Sequence, residues 1–270
     1  MTAIATESGT GRRVSLVAAV EHGATLAWRS LVKIKSSPEQ LLDVTLQPII
    51  FLLLFVYVFG GQMAGNGDTT AYLQFLLPGL LVQTALFSTM GTGFALNTDI
   101  SKGVFDRFRS LPISRIAPLA GAVVGDIARY LISIVVLVAA GMVMGFRVHT
   151  DPVSVLAAIL LVLVFSLALG WVSIFIGMLA PTPQSVQGFG MIFMFPLTFG
   201  SSIFAQASSM PGWLQGWVNI NPVTKLAEAT RGLMTGGPVL EPVLYSLGWA
   251  VVIVAVFAPL ALRLYRRKTS

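Results

Sequence analysis

The stretch VSVLAAILLVLVFSLALGWVSIFIGML, residues 153–179, carries no charged side chain from end to end. A hydrocarbon core of roughly 30 Å is crossed by about 20 apolar residues in a helix. Within lipid a helix is also the way a single segment satisfies its own backbone hydrogen bonds. The block is therefore a membrane span. It starts after the turn Thr150-Asp151-Pro152 and stops at a tight Ala180–Gln184 turn holding two prolines. The rest of the chain shares its character: 270 residues, 55% hydrophobic, 10% charged, with a mean hydropathy of +0.83. A soluble chain carries roughly 25% charged residues, because charge covers a water-facing surface. The composition describes an all-α integral membrane protein.

Outward toward the C-terminus, residues 185–204 form the next expected span, with a kink expected at Pro196. Residues 205–241 are too polar to cross. They hold two short expected helices, Pro211–Val218 and Pro222–Met234. The second has Asn221 as N-cap and Pro222 at its first position, and it ends at Gly236-Gly237-Pro238. The last span, 243–262, runs into the basic tail Arg263, Arg266, Arg267 and Lys268.

Outward toward the N-terminus, the apolar run Ile116–Phe146 is longer than one crossing needs, and 125–146 already spans the core. Asp126 and Arg129 then fall near its end at i, i+3 spacing. One reading makes them a boundary pair; the other makes them functional, as ionisable groups in membranes often are. Residues 73–96 and 41–59 are the two remaining spans. The first of the chain opens with Ser37, Pro38 and Gln40 as a start signal, passes a kink at Pro48 and stops at Gly60-Gly61. Before it, residues 14–35 place Val17, Val20, Ala24, Ala27, Trp28, Leu31 and Ile34 on one helical face, opposite Glu21, Arg29 and Lys33. That pattern fits a helix lying in the membrane interface.

Six transmembrane helices put both termini on one side. That side collects Arg12, Arg13, Arg29, Lys33, Lys35, Lys102, Arg107, Arg109, Arg115 and the tail cations, while the other keeps Arg147, Lys225 and Arg231. Cations accumulate on the cytoplasmic side, so both termini are expected there, in a multi-pass protein of a bacterial cell membrane. The net charge of +6 is scattered between apolar blocks, which argues against a nucleic-acid partner. The absence of cysteine excludes disulfide and thiol chemistry. No His-Glu-x-x-His pattern and no phosphate-binding Gly-x-x-x-x-Gly-Lys loop occurs, so neither a zinc peptidase nor a P-loop ATPase is encoded. No mid-span carboxylate of the kind used by ion-coupled carriers is found.

The most charged internal stretch is NTDISKGVFDRFRSLP, residues 97–112. In it Val104, Phe105, Phe108 and Leu111 share one apolar face, with Lys102, Asp106, Arg107 and Arg109 elsewhere. A short amphipathic helix at 99–112 can dock its aromatic ridge into another protein. It can equally lie flat on lipid, and physics alone divides the two evenly.

The segment GVFDRFRSLP, 103–112, resembles the first coupling helix of type-2 ATP-binding-cassette permeases, and in particular the actinobacterial daunorubicin-resistance type of membrane subunit. The similarity extends in order to PEQLLD (38–43), FLLPG (75–79), QGFG (187–190), MPGWLQ (210–215), NPVTKL (221–226) and RGL (231–233), covering nearly the whole chain. One departure is that many such proteins begin the coupling helix with several carboxylates, where this chain has Asp99 and then Lys102.

The resemblance implies the membrane half of an exporter, with no ATPase site of its own. Two permeases, expected as a homodimer, would associate with a separate cytoplasmic ATPase that binds ATP and magnesium. Lys102, Gly103, Val104, Phe105, Asp106, Arg107, Phe108, Arg109 and Leu111 would form the ATPase contact, and the Pro181–Ser185 turn a smaller one. The second and fifth spans would line the substrate path. Gln83, Phe87 and Phe94 come from the second; Phe189, Met191, Phe193, Met194, Phe195 and Phe199 come from the fifth. Aromatic and methionine surfaces suit flat, hydrophobic small-molecule cargo, although the same residues are ordinary packing or lipid-facing groups in any membrane helix. Trp213, Trp217, Asn221, Glu228 and Arg231 would build an extracellular gate. The alternative to this function is a membrane carrier or scaffold that does not use ATP. The pairs Gly121/Gly125 and Gly141/Gly145 have the spacing that lets helices approach closely.

Overall fold

The computed structural model describes residues 38–63, 68–102 and 117–269. The interfacial helix expected at 14–35 and most of the coupling helix, 103–112, lie outside the described residues. Helix α1, Pro38–Leu54, starts at the expected proline and passes through Pro48. It does not stop at Gly60-Gly61: a π-helical turn, Phe55–Phe59, leads into a last α-turn, Gly60–Met63. Asp68 then caps α2, Thr69–Ser101, its carboxylate accepting from Thr70 N at 2.9 Å and Ala71 N at 3.2 Å.

Helix α2 outruns the expected 73–96 at both ends. Asp99 falls in its last turn and Lys102 is its C-cap, so no separate helix begins at residue 99. The backbone stays helical through Ser101, with Thr98 and Ser101 returning their hydroxyls to the carbonyls of Phe94 and Thr98. Falling hydropathy marks the exit from apolar surroundings, not the end of the helix.

Helix α3, Ala117–Val143, ends short of the expected Phe146. Gly145, at φ 109°, reverses the chain. Its N–H donates to Met142 O at 3.2 Å, and that of Phe146 to Gly141 O at 2.8 Å, which is a Schellman cap with Phe146 buried behind it. The Gly141/Gly145 pair therefore divides its labour. Gly145 turns the chain, whereas Gly141 faces Leu77 of α2 so closely that a Cβ would collide with it.

Helix α4, Pro152–Leu179, is capped by Asp151, and α5, Pro183–Phe199, by Thr182. Helix α5 stops at Phe199 rather than Phe204: Gly200 O accepts from Asn221 at 2.8 Å and Ser202 N donates to Thr224 Oγ1 at 3.2 Å, which ties the chain to the following segment. Two short helices follow, α6 (Gly212–Ile220) and α7 (Pro222–Thr235), joined at Asn221. Gly236, at φ 93°, closes α7 where the Gly-Gly-Pro signal placed its end. The last helix, α8, spans Leu240–Thr269 and includes the tail cations within its helical run, beyond the expected 243–262.

Helix α2 is the hub, packing against α3, α4, α5 and α7, while α8 lies on α4 and α7 and α1 lies on α3. Two-thirds of its most apolar window is buried, 67%, against 17% for α8, so α2 is the core element and α8 a peripheral one. Among the described residues four helices are long and apolar enough to cross a membrane: 45–62, α2, α4 and the 240–264 part of α8. Ile127–Val143 is a shorter apolar helix. Their outer faces carry exposed Val135, Val143, Val153 and Val251, and α5 carries exposed Ile192. Large apolar surface of this kind is stable against lipid rather than water.

The tightest seam joins α2 to α4. A Cβ on Gly93 would collide with Ser173 O, and one on Gly177 would lie 2.5 Å from Gly93 O, so only glycine lets the two backbones meet. One turn further on, buried Asn97 donates to Gly177 O and Ala180 O, each at 2.8 Å, satisfying carbonyls at the end of α4.

Candidate functional site

A cavity of about 330 Å³ opens between α1, α2, α3 and α5. Its α2 wall is Leu80, Gln83, Thr84, Phe87 and Ser88, the i, i+3, i+4, i+7, i+8 face of one helix. Helix α1 adds Gln47, Pro48 and Phe51; α3 adds Arg129 and Ser133; α5 adds Met191, Phe195 and Phe199. One side is an aromatic stack that crosses three segments. Phe51 meets Phe55 at 6.1 Å between ring centroids, Phe55 meets Phe204 at 4.4 Å, Phe204 meets Phe199 at 4.9 Å, and Phe199 meets Phe195 at 4.3 Å.

The polar groups of this wall are few. Thr84 and Ser88 return their hydroxyls to α2, to Leu80 O and Thr84 O, each at 2.8 Å. Arg129 and Ser133 are each engaged within the protein. Gln83 is buried and lines the cavity. A concave, largely apolar space with a few convergent polar groups is the usual form of a small-molecule site, and its volume falls within the range such sites occupy.

The residues expected to line a substrate path divide. Gln83, Phe87, Met191, Phe195 and Phe199 come together in this cavity. Met194 is fully buried in the core, and Phe189 is exposed on the outer face of α5. Phe94 is half-buried and belongs to neither cavity. Phe193 lines a second, more apolar cavity of about 370 Å³ between α4, α5, α6 and α8, beside Trp217, Asn221 and Trp249. Phe51 joins this wall from α1, a helix not expected to line the path; its one signal in the sequence is the second aromatic, Phe55, four residues on.

At the other end of the fold, α6 and α7 form a small polar anchor. Asn221 donates to Leu197 O at 2.9 Å and Gly200 O at 2.8 Å, while its Oδ1 accepts from Val223 N at 2.9 Å. One carboxamide thus caps the end of α5 and the start of α7. Arg231 donates to Phe75 O at 2.9 Å and Ser202 O at 3.1 Å, and its guanidinium lies 3.8 Å over the Phe75 ring. Burial pulls its pKa down to about 10, with the nearby Glu228 carboxylate opposing that pull, so it stays cationic at neutral pH. Glu228 itself pairs with Lys225 at 3.2 Å. Trp213 is exposed and Trp217 half-exposed, its indole against Gly200. Of the expected coupling segment only Lys102 is described, as the exposed cap of α2; 103–111 lie outside the described residues, while the smaller expected contact, Pro181–Ser185, forms the turn into α5 with Thr182 as its cap. The backbone of Asp126 is helical, but its side chain is not among those described.

Fold and site together define a helical membrane protein with an internal apolar cavity. The chain matches the model of the ABC-2 type transporter family over residues 22–235. It is 43% identical over 260 residues to the daunorubicin resistance ABC transporter permease protein DrrB1 of Streptomyces coeruleorubidus, covering 96% of this chain and 91% of that one. It is 26% identical over 232 residues to the doxorubicin resistance ABC transporter permease protein DrrB of Mycobacterium tuberculosis, covering 80% of each. To the inner membrane transport permease YadH of Escherichia coli it is 24% identical over 218 residues, 78% of this chain and 82% of that one. The chain belongs to the ABC-2 type transporter family, as a permease of the daunorubicin-resistance type.

Proposed function

We propose that this chain is the membrane subunit of an ATP-driven exporter that moves a hydrophobic drug or lipid-like compound out of the cytoplasm or inner leaflet. The observation that carries the reading is the near full-length likeness to a permease named for daunorubicin resistance. The aromatic cavity supports it, because stacked rings offer a flat apolar compound contact without fixed hydrogen bonds. In this reading a separate cytoplasmic ATPase binds ATP and magnesium and supplies the energy. Two copies of the chain form the translocation unit. Six crossings, with the interfacial helix 14–35 and both termini cytoplasmic, place Lys102–Leu111 at the ATPase and residues 205–241 outside.

Alternating access then has a stated division of labour. Phe105 and Phe108 anchor in the ATPase, and its closure moves the end of α2, to which the coupling segment is joined through Lys102. Because α2 is the hub, that movement reaches the cavity wall at Gln83 and Phe87 directly. The outer anchor around Asn221, Glu228 and Arg231, with Trp213 and Trp217, serves as the gate. The test is co-purification of the chain with its ATPase in mild detergent. Phe105→Asp and Phe108→Asp should leave insertion intact and dissolve a complex that the unaltered chain forms. Normal export by both variants would remove the coupling assignment. Failure of the unaltered chain to bind any ATPase would favour a carrier or scaffold.

A further inference from the structure

We infer that Gln83 reads a neutral carbonyl or hydroxyl group on the cargo, so that the cavity selects flat apolar compounds bearing such a group over equally flat hydrocarbons. The inference rests on the exporter reading for the word cargo, but its observation is independent of it. Gln83 is 6% exposed and lines the cavity. Among the described residues it has no hydrogen-bond partner. Of the other polar side chains that line the cavity, Thr84 and Ser88 donate to α2 carbonyls, Arg129 and Ser133 are engaged within the protein, and Gln47 is exposed.

A buried amide offers two donors and an accepting oxygen. Leaving them unmet is costly in surroundings as apolar as Leu80, Phe51, Phe87, Phe195 and Phe199. A ligand that stacks on the rings and turns an oxygen toward Gln83 satisfies the amide; a bare hydrocarbon of the same shape leaves it unmet. Sites of this kind discriminate by the penalty on the wrong ligand more than by the reward for the right one.

Anthracene and anthraquinone test this, being flat tricycles of similar outline that differ by two carbonyl oxygens. Equilibrium dialysis against the detergent-purified chain should show anthraquinone bound roughly 3- to 10-fold more tightly, after correction for partition into empty micelles. Gln83→Leu and Gln83→Met, each checked for unchanged elution on size exclusion, should bring that ratio to about one. Phe87→Ala should weaken both probes alike. Equal binding of the two probes by the unaltered chain, or a preference that survives in both Gln83 variants, overturns the assignment. A Gln83-dependent preference in a chain that recruits no ATPase would instead leave this site standing and remove the exporter reading.

Discussion

Removing the Asn221 carboxamide would leave Leu197 O, Gly200 O and the Val223 amide without partners at once. With net hydrogen-bond contributions of about 1 kcal/mol each, Asn221→Ala should cost roughly 2–4 kcal/mol. It should be read as a lower thermal midpoint in detergent. Asn221→Asp should be worse, because a carboxylate oxygen would then face two carbonyls. Asp151 makes a prediction of opposite kind. The Ser154 hydroxyl, at 2.7 Å, and the Ser154 amide hold its carboxyl below the ordinary carboxylate range. A lowered folded-state pKa means that the stabilisation is complete above the ordinary carboxylate range and is lost as pH falls through the lowered value. Asp151→Asn should keep the cap and flatten the acid limb of a melting-temperature profile. The Asn221 cap was legible from Asn-Pro at a helix start, but its second role, capping α5 from 21 residues away, was not.

At the scale of elements, the α2–α4 seam decides whether the bundle closes. Gly177→Val places side-chain atoms against the Gly93 backbone, which cannot yield as a flexible side chain does. Overpacking of this kind costs about 1–3 kcal/mol or more, and the variant should elute as aggregate or melt early. Gly170→Ala, on the same helix with open space around its Cβ, should behave as the unaltered chain. The helices themselves were legible to within a few residues wherever a cap or a proline marked the start: Pro38, Asp151-Pro152, Asn221-Pro222. Ends were legible where a proline or Gly-Gly-Pro stop followed, at α4 and α7, but not at α2 and α8, which continue through polar residues. An apolar run reports the slab it occupies, while a helix ends where its last carbonyls find other partners.

For the whole molecule, the proposed topology predicts that Lys102 and Trp213 face opposite sides of the membrane. The chain has no cysteine, so Lys102→Cys and Trp213→Cys each supply a single label site without background. In intact cells an impermeant maleimide should modify Trp213→Cys and reach Lys102→Cys only after permeabilisation. Modification of both from outside would overturn the six-crossing arrangement.

Composition, the uncharged block at 153–179 and the ordered set of short motifs were enough to determine an all-helical membrane protein and its family. These depend on local chemistry: how apolar a segment is, and which residue can begin a turn. What only the tertiary structure decided is which helical faces meet. The sequence could nominate Gln83, Phe87, Phe193, Met194 and Phe199 by type, but not separate a cavity wall from a buried core or an outer face. In a membrane helix apolar residues occur all round, so no polar stripe marks the inside. The sorting comes instead from close contacts between segments distant in the chain, Gly93 on Gly177 and Phe55 on Phe204, which set the helix rotations and so turned Gln83 toward the cavity.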